Sequence, residues 1–272
     1  DYALFARDAI ELKNSANVNW INKQPDDWPL QVGTNSTNNG AITLKSNTTI
    51  EGDVIVGVGG NPYNVINGIY DSSVNITGQV YSMFSNAVLP SVSVPASLAF
   101  LPSGGDIKTS VTLSASGRYN TIDLKKATLT ITEPVMLYIT GTITLDNDGE
   151  IVIGGPTDTD NDASLIIYLY DSFIGDNGVG INNLTQDATK FTLFGLDSCT
   201  DIRLKNGGIL YGTVYAPNAS IILDNSADVY GSIVGQSFIL KNSATFYYDA
   251  ALRDRTVHDE AVRFVVHRWA EH

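Results

Sequence analysis

The chain has 272 residues, 43% of them hydrophobic and 17% charged, which excludes global disorder and leaves most of the polar surface to Asn, Ser, Thr and Gly. Sixteen basic against 29 acidic residues give a net charge of −13, a field that repels nucleic-acid phosphates and anionic membranes and excludes DNA or RNA binding. The single cysteine, Cys199, excludes an intrachain disulfide and reads as a small buried residue.

The chain starts at Asp1 without a Met or a charged-then-apolar leader, so a targeting segment is expected to have been removed ahead of it. A first corner, Leu12-Lys13-Asn14-Ser15-Ala16, is echoed at Leu44-Lys45-Ser46 and Leu145-Asp146-Asn147. Residues 20–39, with Trp20, Pro25, Asp26, Asp27, Trp28 and Pro29, break the pattern and read as an excursion. Beyond them, Ile42-Thr43-Leu44 and the stretch from Thr48 to Val56 alternate apolar and polar residues as short strands do. Between Ser72 and Gly105 no residue is charged, but Pro90, Pro95 and Pro102 exclude a membrane span, and residues 85–117 read as a loop-rich crossing.

Downstream, Asp123, Asp146, Asp148 and Glu150 are the carboxylates that a polysaccharide lyase or hydrolase would need on one face, although acids at corners more often form turns. The steps Thr128-Leu129-Thr130-Ile131-Thr132 and Thr140-Gly141-Thr142-Ile143-Thr144 match the side-chain row of ice-binding solenoids, yet they do not recur on every rung and read as ordinary strand surface. In Asp158-Thr159-Asp160-Asn161-Asp162 three carboxylates alternate. Asp158, Asp160 and Asp162 are the candidate calcium ligands of a chain that otherwise requires no cofactor.

The strongest signal is a repeat. Tyr211-Gly212-Thr213-Val214 returns as Tyr230-Gly231-Ser232-Ile233, and Leu204-Lys205-Asn206 returns as Leu223-Asp224-Asn225 and Leu240-Lys241-Asn242, a period of 17 to 19 residues. Such a unit cannot bury its apolar stripe alone. Stacked at about 4.8 Å per rung, some ten units predict an all-β, single-stranded, right-handed parallel β-helix about 45 to 50 Å long. It is expected to span residues 1–249, with residues 250–272 as a capping segment of unassigned type in which Val257, Ala261, Val265 and Trp269 keep helical spacing. His258, His267 and His272 all lie in that tail without a second ligand cluster, so no zinc or histidine-based site is expected.

The run Leu210-Tyr211-Gly212-Thr213-Val214-Tyr215-Ala216-Pro217-Asn218-Ala219, with Asp228 to Gly235 and Ala244 to Leu252, resembles the extracellular domain of PilX-like type IV pilus assembly proteins. Asp1 to Ala6, Pro134 to Gly141 and Trp269-Ala270-Glu271 extend the resemblance over nearly the whole chain. It implies a non-enzymatic, extracellular, minor-pilin-like domain acting in pilus assembly or surface contact. An N-terminal helix ahead of Asp1 would anchor it in the membrane. Its implied partners are other pilin subunits, with a host or abiotic surface or a carbohydrate as further contacts. A polysaccharide-acting enzyme and a polymer-forming scaffold are the alternatives on the same fold.

Overall fold

Alternating apolar residues broken every few positions by Gly, Asn or Ser build short strands, and in the computed structural model these strands wind into coils. The structure describes residues 2–155, 162–175, 180–205, 209–224 and 228–254. Each coil visits three faces in the order A, B, C, and every strand pairing between coils is parallel. The inward positions of all three faces carry Ile, Leu, Val and Phe, which merge into one continuous buried core. Only two helices of four residues, Pro62–Val65 and Ala96–Ala99, and two 3-10 turns interrupt the strands among the described residues. No described helix is long and apolar enough to cross a membrane. The expected all-β parallel β-helix is therefore the fold.

The corner between faces B and C explains the recurring Leu-(Lys/Asp)-Asn signal. The Leu points into the core, and the chain then reverses through residues with left-handed backbone: Ser15 (φ 58°), Asn47 (60°), Lys126 (53°), Asn147 (48°) and Ser243 (59°). The turn is closed by Ala16 N–H to Lys13 O at 2.9 Å, Thr48 N–H to Lys45 O at 3.2 Å and Ala244 N–H to Lys241 O at 3.3 Å. Short polar residues tolerate this conformation, which is why Asn and Ser dominate the corner.

Stack order differs from chain order. On face C the neighbours run Val111–Leu113, Thr128–Ile131, Glu150–Ile153 and Gly180–Asn183. They continue with the starts of Leu210–Asp224 and Val229–Leu240, then Thr245–Asp249, Asn17–Ile21, Thr49–Ile50 and Asn75–Ile76. That makes ten coils, a stack about 45 Å long. The first coil in the chain lies in the interior of the stack, docked on the last: Leu4 pairs with Ile233, Leu12 with Leu240, Asn17 with Thr245 and Ile21 with Asp249. From this joint residues 2–82 build in one direction. The chain then crosses back to the far end and returns coil by coil to the joint.

The crossing is residues 83–105, shorter than expected, because Val111–Leu113 and Gly117–Tyr119 already belong to coils. The first excursion likewise contracts to residues 22–30, since Trp20 lies within the strand Asn17–Ile21 and Gln31–Thr34 is another. The described part of the expected cap, the turn Ala250–Asp254, lies beside this excursion at the joint and not at an end of the stack. Arg253 donates there to the carbonyls of Trp28 (2.6 Å) and Pro29 (3.4 Å). The rest of the tail, including the spaced Val257, Ala261, Val265 and Trp269 and the three histidines, lies outside the described residues.

Candidate binding face

Three faces are built from the same repeat, and their outward residues differ. Face A is covered. Its outward column holds Tyr138, Tyr168, Phe194 and Tyr215 in register, and the crossing lies on it through Val92, Val94, Leu98 and Leu101. The Tyr215 hydroxyl donates to Pro90 O at 2.8 Å, Asn35 clasps Ala87 through both N–H and C=O at 2.8 Å, and Arg118 donates to Ala99 O at 3.3 Å. Burial pushes the Tyr215 phenol well above its ordinary pKa.

Face B is open but mixed. Its central column reads Asp123, Thr144, Ile174, Arg203, Ile222, Ile239, Glu11, Thr43, Asn67 along the stack. Charged and branched apolar residues alternate without a repeated chemistry.

Face C is open, and its central row is uncharged over eight consecutive coils before Glu51, opposite Asn19, brings a charge on the ninth. Thr112, Thr130, Val152 and Asn182 are register partners on four successive coils of a four-stranded sheet. Past a break in the ladder, Tyr211, Tyr230, Tyr247 and Asn19 are register partners on the next four coils, in the larger sheet. Asn183, only 2% exposed, ties the two halves together by donating to Tyr211 O at 3.0 Å and Asp187 O at 2.9 Å. The three tyrosine rings stack at 4.6 and 4.5 Å between centroids. Stacked rings hide their faces against each other and turn edges and hydroxyls outward. The Tyr230 phenol is raised above its ordinary pKa by burial first and by the phenols of Tyr247 and Tyr211 next, so it stays protonated. Beside this row runs a second one in which Thr128, Thr245, Asn17, Thr49 and Asn75 share the line with Glu150 and Asp228.

The residues singled out in the sequence are scattered by this architecture. Thr128 and Thr130 lie on face C, whereas Thr144 lies on face B, so the two Thr-x-Thr steps never join in one array. Asp123 and Asp146 lie on strands of face B, Asp123 half-buried with its Oδ1 shielded and Asp146 in register with Lys125; Asp148 occupies a corner at φ 65° and Glu150 faces outward on C. No concave site collects these four acids. An open cleft of about 570 Å³ lies at the other end of the stack, where Tyr63, Tyr70, Asn64 and Asn67 surround one carboxylate, Asp71. Of the calcium candidates, Asp158 and Asp160 lie outside the described residues, and Asp162 is exposed just before a face A strand. Among the described residues no group of three His, Cys, Asp or Glu side chains is placed to hold a metal. Cys199 is buried, and burial, then Asp171 and Asp201, push its thiol up to about 12. Trp20 is half-buried beneath Arg253 and Lys23 (5.5 and 5.1 Å to the ring), while Trp28 is 73% exposed. The row as a whole escaped sequence reading: Tyr211 and Tyr230 show in the repeat, but neighbours along the rest are unevenly spaced and mostly unlike, and Asn19 joins Tyr247 from the other end of the chain.

A family model described as "Domain of unknown function (DUF7305)" matches residues 89–255, more than half of the chain. No curated protein matches its sequence. Among solved structures it is similar to an ice-binding protein from the Antarctic ascomycete Antarctomyces psychrotrophicus (16% identity, 90% of this chain and 92% of that one, TM-score 0.34). It is similar also to the ice-binding protein LeIBP from an Arctic yeast (14% identity, 91% and 90%, TM-score 0.36). A third is the DUF3494 domain of Shewanella frigidimarina ice-binding protein 1 (14% identity, 91% and 92%, TM-score 0.33).

These findings correct the expectation of a PilX-like, pilus-associated minor pilin. The matching model covers the same run from Leu210 to Leu252 that carried the resemblance, and it is DUF7305, not the PilX-like family. The physical reason is that the Tyr-Gly pairs report stacking. A Cβ on Gly231 would lie 1.8 Å from Gly212 O and one on Gly212 would lie 2.3 Å from Phe191, so any closely stacked coil demands glycine there. With the pilus assignment fall its pilin partners and its host, abiotic-surface and carbohydrate contacts.

Proposed function

The chain belongs to this family of unknown function, DUF7305, and we propose that it is a non-enzymatic, extracellular ice-binding domain whose contact surface is face C. The observation that carries the reading is the row of Thr112, Thr130, Val152, Asn182, Tyr211, Tyr230, Tyr247 and Asn19, uncharged over eight coils of an uncovered face that two sheets share. Ionised groups hold their own hydration shells and resist exchange for an ordered lattice. Hydroxyls, amides and methyls at a fixed rung spacing of about 4.8 Å can share ordered water with one. A rigid solenoid keeps that spacing without an ordering cost at the moment of contact. Extracellular placement agrees with the low charge content and the Asn-, Ser- and Thr-rich surface.

The test is partition of the labelled protein into a slowly growing ice hemisphere, read together with inhibition of ice recrystallisation. Thr130→Glu and Tyr230→Asp, both outward on face C, should each remove the protein from the ice, and Thr144→Glu on face B should not. A wild-type chain left wholly in the liquid refutes the proposal. Equal loss from the face B variant refutes the choice of face.

A further inference from the structure

The tyrosine ladder has a chemistry of its own. Tyr211, Tyr230 and Tyr247 are register partners on consecutive coils, with ring planes 18° and 11° apart and centroids 4.6 and 4.5 Å apart. Parallel register places like atoms over like atoms, so the ring carbons beside each hydroxyl face their counterparts on the next rung. All three side chains are partly exposed. Tyr63 and Tyr70, the other stacked tyrosine pair among the described residues, stand 5.9 Å apart and are more exposed, which makes them an internal comparator.

We infer that this ladder is a site of oxidative cross-linking, at which Tyr230 couples to Tyr211 or to Tyr247 and forms a dityrosine bridge between adjacent coils. The oxidant is of the haem-peroxidase class with hydrogen peroxide. One peroxide takes an electron and a proton from each of two phenols and leaves as two waters. The two phenoxyl radicals then join through the ring carbons next to their oxygens. The hydrogen on each joined carbon moves to the neighbouring oxygen, which restores both phenols, so the protein loses two hydrogens per bridge. Because Tyr247 lies on the last coil, a bridge at Tyr230 and Tyr247 would tie that coil covalently to its neighbour.

The experiment treats the full chain, dilute enough to stay monomeric, with a haem peroxidase and hydrogen peroxide, and follows dityrosine fluorescence, intact mass and cross-linked peptides. The expected result is a monomer lighter by two hydrogens whose cross-link joins the Tyr230 peptide to that of Tyr211 or Tyr247. Tyr230→Phe keeps the ring stack but removes the shared phenol, and should lose the intramolecular bridge while its melting temperature stays near that of the parent. Tyr63→Phe should leave the signal intact. Bridges that map to Tyr63 and Tyr70, bridges only between molecules, or an undiminished monomer signal in Tyr230→Phe would each overturn the assignment, as would no bridge at all. None of these readouts depends on ice.

Discussion

Individual residues in this solenoid are judged by the coil above and the coil below. Lys126 holds a left-handed backbone at the B–C corner where its equivalents are Ser15, Asn47, Asn147 and Ser243. Lys126→Gly removes the steric cost of that conformation and gives back part of it in chain entropy, so stability should rise by about 0.5–1 kcal/mol in a urea titration. Gly231 is the opposite case, since a Cβ there meets Gly212 O at 1.8 Å and neither backbone can yield. Gly231→Ala should cost roughly 3 kcal/mol or more, read as a shift of the same titration midpoint. Cys199 ties a residue to pH. In the unfolded chain its thiol deprotonates near the ordinary value of about 8.5, while in the folded chain it holds its proton up to about 12. The unfolded state therefore binds fewer protons between these values, and stability should fall as pH rises through that window. Cys199→Ala should flatten the slope, and the native thiol should resist a disulfide reagent at pH 8 that labels it at once in urea.

At the scale of elements, the crossing decides which face is free. The column Tyr138, Tyr168, Phe194 and Tyr215 would make face A the most aromatic surface of the molecule, and residues 83–105 cover it instead. Asn35 and Tyr215 pin this strap at Ala87 and Pro90. Losing a hydrogen bond of this kind costs about 1 kcal/mol, so Tyr215→Phe and Asn35→Ala should each speed proteolytic cleavage within residues 84–91 while leaving the strand signal in circular dichroism unchanged. The sequence exposed much of this level. Strands were legible in the alternation of Ile42-Thr43-Leu44, corners in Leu-Lys-Asn, and the strap in an uncharged, proline-broken stretch. Which face the strap covers was not legible, because Tyr138, Tyr168, Phe194 and Tyr215 read as unrelated aromatics until the register of four coils lines them up. The candidate face was hidden for the same reason: Thr130, Asn182 and Tyr211 share no motif, only a position in the rung.

For the whole molecule, the governing feature is the joint. Strand Thr245–Asp249 ends one coil on face C, the next position in the winding is face A, and face A of the adjoining coil begins at Leu4. Arg253 reaches the carbonyls of Trp28 and Pro29 while the Ala3 N–H donates to Gln31 O, so the two ends of the described chain lie side by side. A circular permutant that links residue 254 to residue 2 and opens at the exposed Ser91 would wind its coils in the order in which they stack. It should refold faster than the parent in a stopped-flow dilution while keeping the same melting temperature within a few degrees, because it removes the longest-range pairing without removing a contact. A permutant that fails to fold would mean that the continuous strap is needed to set the joint.

The joint also sets a timetable for the protein's birth. Leu4 leaves the ribosome about 230 residues before Ile233, the strand residue it pairs with, and Asn17 about as long before Thr245. At 5–20 residues per second, the edge that residues 4–21 present to their future partner stays bare for about 10 to 45 s of synthesis. During that interval the open edge is a template for any other extended chain nearby, including a neighbouring nascent copy. A cell making this protein has a reason either to space its translation or to shield the first coil until the last one arrives.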